Sequence, residues 1–548
     1  LTLSGGAAMS FNTTATGFSN TLHDGTNAVP INVPAGPYLA FALDDLDFSL
    51  LGSNVSGDIE VILSGDLVGE SPDTILIEVE DLTLDGGIGS TASYALTNLT
   101  GFLLSDREGV TGSLSGGMTL SGLNEIVFTI PSASVELNTR GQDSAYVFGD
   151  QQYRFRNANY FEMLASGASA QIGADIVQGN FTFGFAPGDG VAAGDRLDAA
   201  TLSGSITDAS LALGSDGLVS LEEGLGAVLI DDRGTVGVFS GSVDISVPDV
   251  GASGLFTGQF TTRAVSAGEF LTSGEEILAL EETSGATIAL RGDEVSLALG
   301  DQIFGGSFLF EAQDSGEIGI LGSELSATLS SGGTTYFELS DANGVLLLTE
   351  EGSAAQVRGE IEVLVSGFEL QGSFTVKYNS LETAQVRGIT LGGTSETISI
   401  EEAGPYLAIS GNSASLEVGG QSIRGNFDFE QSPDGFALRA ERVELEFGPG
   451  GVGVNITGAA GDFEVDTEGM TGAIAVSSDV ATAVTLRGLS FGAGDLRLEL
   501  NSRQVEVSRE LDLGSGAEQV VFPAGPYVRL GILDGEVVLD RLQISGSD

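Results

Sequence analysis

A chain that repeats itself at a long fixed interval must fold into equivalent units that contact mainly their neighbours, so the repeat is the feature to establish first. Gly-Pro-Tyr followed by an apolar stretch occurs at Gly36-Pro37-Tyr38, Gly404-Pro405-Tyr406 and Gly525-Pro526-Tyr527. The last two copies are 121 residues apart and the first two 368, three times about 123, so degenerate copies are expected near residues 159 and 283. A second landmark is a Gly entering an alternating strand, at Gly57, Gly179, Gly306 and Gly425, with spacings of 122, 127 and 119. A third is the Gly of an acidic turn, at Gly109, Gly234, Gly352 and Gly469, with spacings of 125, 118 and 117. The three agree on a period near 121. They divide the chain into repeats at 36–157, 158–284, 285–403 and 404–524. Residues 1–35 are read as the last part of a preceding repeat and 525–548 as the start of a following one, as in a segment of a longer array.

Within each repeat the hydrophobic period is two, which predicts strands. Asp495-Leu496-Arg497-Leu498-Glu499-Leu500 alternates without a break. Ser432-Pro433-Asp434-Gly435 reads as a hairpin turn, with Ser71-Pro72-Asp73 as its counterpart. After Leu438 the alternation changes phase, which predicts a bulge near Arg439–Arg442. No amphipathic helix of 12 residues is legible; Tyr160–Ala165 is the nearest candidate, as a single turn. The expected fold is all-β, a tandem array of antiparallel β-sandwich-like repeats of roughly ten short strands, forming an elongated rod. A continuous β-solenoid is the alternative.

Composition narrows function by exclusion. Cys and Trp are absent and His23 is the single histidine, so a disulfide framework, a thiolate zinc site, a thiol nucleophile and a His-rich metal centre are all unavailable. Asp and Glu number 77 against 20 Lys and Arg, a net charge of −57, which disfavours nucleic acid and anionic lipid as partners. No apolar run approaches the ~20 residues that a membrane-spanning helix needs. Lys377 is the only lysine. An acidic, lysine-poor surface suits a saline or calcium-rich exterior, where cations screen self-repulsion.

Four acidic turns are candidate calcium ligands: Asp106 and Glu108, Asp231 and Asp232, Glu350 and Glu351, and Asp466 and Glu468. Paired carboxylates beside turn carbonyls supply the oxygen donors that calcium prefers, although Asp and Gly also favour turns with no metal. Asp44, Asp45 and Asp47 form the densest acidic cluster, with Asp45 and Asp47 expected on one strand face. A glycosidase pair also needs two carboxylates, but their abundance makes proximity uninformative, and no catalytic residue is assigned. Gly448-Pro449-Gly450-Gly451-Val452-Gly453 matches a dinucleotide fingerprint in letters only, because a strand follows where a helix is required. Asn12, Asn54, Asn98, Asn180 and Asn455 lie in Asn-x-Ser/Thr sequons, as a chain rich in Ser and Thr would show by chance. The segment 146–161 concentrates aromatics with arginine. Tyr153, Arg154, Phe155, Arg156 and Tyr160 are the candidate binding residues, for a sugar ring or an acidic neighbouring chain. Read without a ligand, the same stretch is a strand with Tyr153 and Phe155 inward and Arg154 and Arg156 in solvent.

Long tandem β-repeats, an acidic surface, absent Cys and scarce Lys together resemble very large bacterial extracellular and surface proteins of the adhesin or matrix-filament type. That resemblance implies a secreted or surface-anchored, non-enzymatic structural protein, a stalk, filament or adhesin spacer rigidified by calcium and associating with itself. The alternatives are a subunit of a two-dimensional surface lattice and a carbohydrate-binding or carbohydrate-active β-protein with polysaccharide as partner.

Overall fold

A computed structural model describes residues 4–545 except for 65–74, 186–200, 448–452, 477–482, 513–516 and breaks of one to three residues. The turn residues Ser71–Asp73 and Pro433-Asp434, the glycine-rich 448–452 and Asp232 lie outside the described residues. Among those described the chain is all-β, with 43 strands and one short 3-10 turn, Ser215–Gly217. Thirty-three strands belong to one antiparallel sheet that is not closed into a barrel, and the other ten form five two-stranded ribbons. Every register is antiparallel, as the tight turns require and as parallel coils would not be. Tyr160–Ala165, the candidate helical turn, is instead the beginning of strand Tyr160–Ile172.

The same order of elements returns through the chain: a set of long strands, a short one, a strand of about seven residues and then a ribbon. The ribbons span 18–33, 144–155, 270–279, 385–400 and 507–522. Contacts group the chain into two compact units, one of residues 1–212, 220–242 and 257–289, the other of 213–219, 243–256 and 290–548.

In the first unit the chain leaves the sheet after strand Ser132–Asn138, makes the 144–155 ribbon, and returns as Tyr160–Ile172 to pair with the strand it left. Strand Ser4–Asn12 pairs with Tyr38–Leu50 across the 18–33 ribbon in the same way. The ribbons at 144–155, 270–279, 385–400 and 507–522 fold back over the sheet, whereas the described side chains of the 18–33 ribbon are mostly exposed. Tyr146 and Phe155 of the 144–155 ribbon are buried with Leu76, Phe102 and Leu104 of the sheet. Leu271 and Leu280 are buried with Val236 and Val238.

The second unit repeats the scheme. Strand Ser373–Asn379 pairs directly with Tyr406–Val418, so the sheet runs on past residues 403 and 404 while the 385–400 ribbon covers it. Ile389, Leu391, Ile398 and Ile400 of that ribbon pack with Val345, Leu347 and Ala354. The sheet is also layered on itself: the Phe337 ring meets Phe429 at 5.2 Å and Phe436 at 5.0 Å, both edge-on, from strands that are not hydrogen-bonded neighbours of its own. Sandwich-like layering therefore has two sources, ribbons laid on the sheet and strands of one repeat facing those of the next.

Long strands bend at bulges. Arg442 has φ 53° and the register slips between Ala440 and Val443, where the sequence phase changes. Asp45 has φ 55° and the register slips between Leu43 and Leu46, so simple alternation does not carry Asp45 and Asp47 to one face. The landmark glycine of the next strand faces such a bulge: a Cβ at Gly57 would lie 2.6 Å from the Asp81 carbonyl. The polar residue after that glycine ties down the bulge before it, with Asp45 N–H donating to Asp58 (2.8 Å), Gly167 N–H to Asn180 (2.9 Å) and Ser413 N–H to Asn426 (3.1 Å).

Replacing Phe337 with Ala removes the ring that both Phe429 and Phe436 contact. It is expected to destabilise the second unit by about 3–5 kcal/mol, measured by urea unfolding.

Candidate functional site

Two of the sequence landmarks, Gly-Pro-Tyr and the glycine of the acidic turn, converge on one place, the foot of the ribbon. A strand that leaves the sheet strands its own carbonyls, and buried carbonyls need donors. Asn12, Asn138, Asn379 and Asn501, the last residues of their strands and all buried, supply them. Each Nδ2 donates to the carbonyl four residues on and to a second carbonyl at the far foot of the ribbon, over 2.6–3.0 Å. The acceptor pairs are Thr16 and Pro34, Gln142 and Arg156, Thr383 and Glu402, and Val505 and Pro523. Each Oδ1 accepts the N–H two residues later, from Thr14, Arg140, Leu381 and Arg503. One amide thus closes both ends of an excursion of more than twenty residues.

At the fifth such junction two side chains divide the task. Thr261 Oγ1 accepts the Arg263 N–H at 3.1 Å, and Gln259 exchanges two bonds with the Glu281 backbone.

The residue after the amide anchors the acidic turn. Thr139, Thr262, Ser380 and Ser502 each accept, on the side-chain oxygen, the N–H that follows the turn glycine, over 2.8–2.9 Å. Those glycines have φ between 139° and 159°, and a Cβ at Gly109, Gly234 or Gly352 would lie 2.6–2.7 Å from the same hydroxyl. Glycine is required there on both counts. Gly36, Gly404 and Gly525 close the other side, where an added Cβ would collide with the carbonyl of the latch asparagine. The tyrosine that follows is paired opposite the amide: Tyr38 with Asn12, Tyr406 with Asn379 and Tyr527 with Asn501.

Tyr160 stands opposite Asn138 in the same position. This candidate binding residue is therefore the repeat tyrosine of a copy that lost its Gly-Pro. The other candidates lie as an ordinary ribbon places them. Phe155 is buried, Tyr153 is half-buried with its ring 4.9 Å from Phe102, and Arg154 is exposed. Arg156 is exposed too, pairing with Glu162 while its guanidinium lies 4.5 Å above the Tyr160 ring.

The acidic turns are built on their first carboxylate. Asp106, Asp231 and Asp466 each accept two backbone N–H groups of their own turn on Oδ1, over 2.8–3.1 Å. Each also pairs with an arginine: Asp106 with Arg140, Asp231 with Arg233 at 2.8 Å and Asp466 with Arg503 at 2.9 Å. In the third repeat Thr349 takes the aspartate's place, accepting the Glu351 N–H, and Glu350 and Glu351 are exposed at the tip. Glu108 and Glu468 are exposed in the same way. Among the described residues no three His, Asp or Glu side chains are grouped to hold a metal ion. In three of the turns the aspartate Oδ1 holds two N–H groups and an arginine lies against the carboxylate, while Glu108, Glu350, Glu351 and Glu468 keep their carboxylates at the exposed tips.

Scarce arginines recur at these junctions. Arg387 of the 385–400 ribbon forms two bonds to Glu317, 2.7 and 2.9 Å, and Arg509 of the 507–522 ribbon reaches the Thr471 carbonyl at 2.8 Å. Near the fifth junction Arg263 donates to Glu269 at 2.8 Å and Ser266 N–H does the same. The Arg263 hydrogen bond, with that backbone N–H and the charges of Arg263 and Arg233, holds the Glu269 carboxyl down to about 2. Burial, the charge of Glu60 and a hydrogen bond to it push the Tyr38 hydroxyl up to about 12.

No family model, curated protein or solved structure matches this chain. No helix among the described residues is long and apolar enough to cross a membrane.

The latch asparagines were within reach of sequence reasoning. Asn12-Thr13, Asn138-Thr139, Asn379-Ser380 and Asn501-Ser502 follow the repeat period, but Asn-Thr and Asn-Ser pairs are common, and Asn12 reads as a sequon.

Asn379→Ala leaves two buried carbonyls without donors and is expected to cost about 2–4 kcal/mol, with faster amide hydrogen exchange in the 385–400 ribbon than elsewhere in the chain. Glu269 is depressed in the folded state, so its contribution is present above the ordinary carboxylate range and lost as pH falls towards 2. Acid titration of stability is expected to show this loss between pH 4.5 and about 2, and Glu269→Gln to remove it.

Proposed function

We propose that the chain is a non-enzymatic structural protein of the bacterial exterior, a repetitive β-array serving as stalk, matrix filament or adhesin spacer. The observation that carries this reading is the ribbon junction, which recurs with the same bonding at four places and in a substituted form at a fifth. Selection for one reaction or one ligand would favour a repeat that departs from its siblings. Here the stretch that departs most in composition, 146–161, is occupied by the same scaffold. Tyr146, Tyr153 and Phe155 face the sheet, leaving Arg154 and Arg156 as its exposed candidates for polysaccharide. The acidic, cysteine-free and lysine-poor composition supports an exterior location.

Immunolabelling of intact and permeabilised producing cells tests the location. Label on intact cells is expected, and label confined to permeabilised cells would overturn the reading. Electron microscopy of the purified protein then separates independent particles from ordered filaments or sheets. Because the turn aspartates are already held by arginine and backbone N–H groups, the melting temperature in millimolar calcium is expected to match that in chelator. A higher value in calcium would show the turns exchanging arginine for the ion.

A further inference from the structure

The 270–279 ribbon is apolar on both faces. Inward, Leu271 and Leu280 are buried with Val236 and Val238 of the sheet, and Leu278 packs beside them. Outward, Phe270 is 58% and Ile277 68% exposed, and Ala279 is exposed as well. The register sets Phe270 opposite Ala279, with Ile277 two residues before that alanine, so all three share one face. The scaffold does not require that face to be apolar. Counted from the strand end that opens each ribbon, the place of Phe270 is taken by Val147, Gly388 and Glu510, and the place of Ala279 by Gln152, Thr397 and Gln519. Ile277 stands where two of the siblings carry Ser395 and Ala517. Among the described residues of the four ribbons that cover the sheet, this one alone sets two large apolar side chains in solvent on its paired strands.

We propose that the back of this ribbon is a contact surface for a second copy of the chain, face to face about a two-fold axis, with Phe270 and Ile277 of each copy buried against the other. The face suits itself in shape, because the bulky Phe270 lies beside the small Ala279 and a two-fold pairing offers each ring a hollow on the opposing copy. Charge favours a second copy over a basic partner. Near the ribbon's foot Asp231 is paired with Arg233 and Glu269 with Arg263, both at 2.8 Å. In a chain of net charge −57 this is a place where two copies approach without stacking unpaired carboxylates, and a cationic partner would find these two already taken. Glu281 and Glu282, exposed beyond the ribbon, still repel between copies, so salt strengthens the contact. Phe270, Ile277 and Ala279 present on the order of 200–300 Å² per copy, short of the ~800 Å² that each partner of a stable complex buries. The dimer is therefore weak, and it matters where copies are crowded, as on a cell-surface array; from that reading it takes only its setting.

Sedimentation of the full chain from about ten to several hundred micromolar, at low salt and in about 0.5 M salt, tests this. A monomer–dimer equilibrium that tightens with salt is expected. Phe270→Thr and Ile277→Ser, at solvent-exposed positions, are each expected to weaken it about tenfold or more without lowering the melting temperature. Val147→Ser, at an exposed apolar position on the 144–155 ribbon, should leave it unchanged. A chain that stays monomeric at every concentration and salt, or a dimer indifferent to Phe270→Thr and Ile277→Ser, overturns the proposal. Immunolabelling decides the surface location separately, so a monomer here leaves that reading standing, and label confined to permeabilised cells leaves the dimer standing.

Discussion

A side-chain amide buried at the end of a strand has two N–H groups and an oxygen to satisfy, and in this protein those three needs match what the backbone lacks where a ribbon leaves the sheet. The amide joins carbonyls 14 to 19 residues apart, so the chain can depart, make a two-stranded ribbon, and return to the strand it left. Without that closure the ribbon would still bury leucines and phenylalanines, but its feet would hold carbonyls out of water with no donor. The cost of orphaned backbone groups is what makes the asparagine, rather than the ribbon's apolar face, the element the fold depends on.

The other regularities follow from the crowding around that amide. The hydroxyl of the next residue reaches the acidic turn, which forces glycine there. The returning chain passes against the asparagine carbonyl, which forces glycine before the proline. Aspartate at the turn accepts backbone N–H groups, and an arginine offsets its charge. With a large excess of carboxylates, such placement of the few arginines lets acidic turns sit near the sheet without mutual repulsion loosening them.

Much of this was legible, though not as chemistry. Gly109, Gly234, Gly352 and Gly469 mark the period because a Cβ is excluded, and exclusion leaves the same letter at every copy. The bulge at Arg442 showed as a phase change, since a single extra residue reverses which side chains face inward. Tyr160 and the aromatics beside it were harder to place. Without Gly-Pro before it, Tyr160 carries no signature that separates a repeat tyrosine from a binding one. Only pairing with Asn138 makes its position plain. Asp106, Asp231 and Asp466 present the same difficulty: a turn carboxylate looks alike in sequence whether it faces a cation, an arginine or its own backbone.

The sequence by itself determined the repeat, the strand class, the antiparallel hairpins and the exclusion of thiol, disulfide and multi-histidine chemistry, because these rest on local periodicity and composition. Tertiary structure alone decided that the sheet continues from one repeat into the next, that four of the five ribbons fold over it, and that the asparagine joins the ribbon's two feet. Those depend on which distant backbone groups are left unpaired when the chain is folded, and no window of neighbouring residues contains that information.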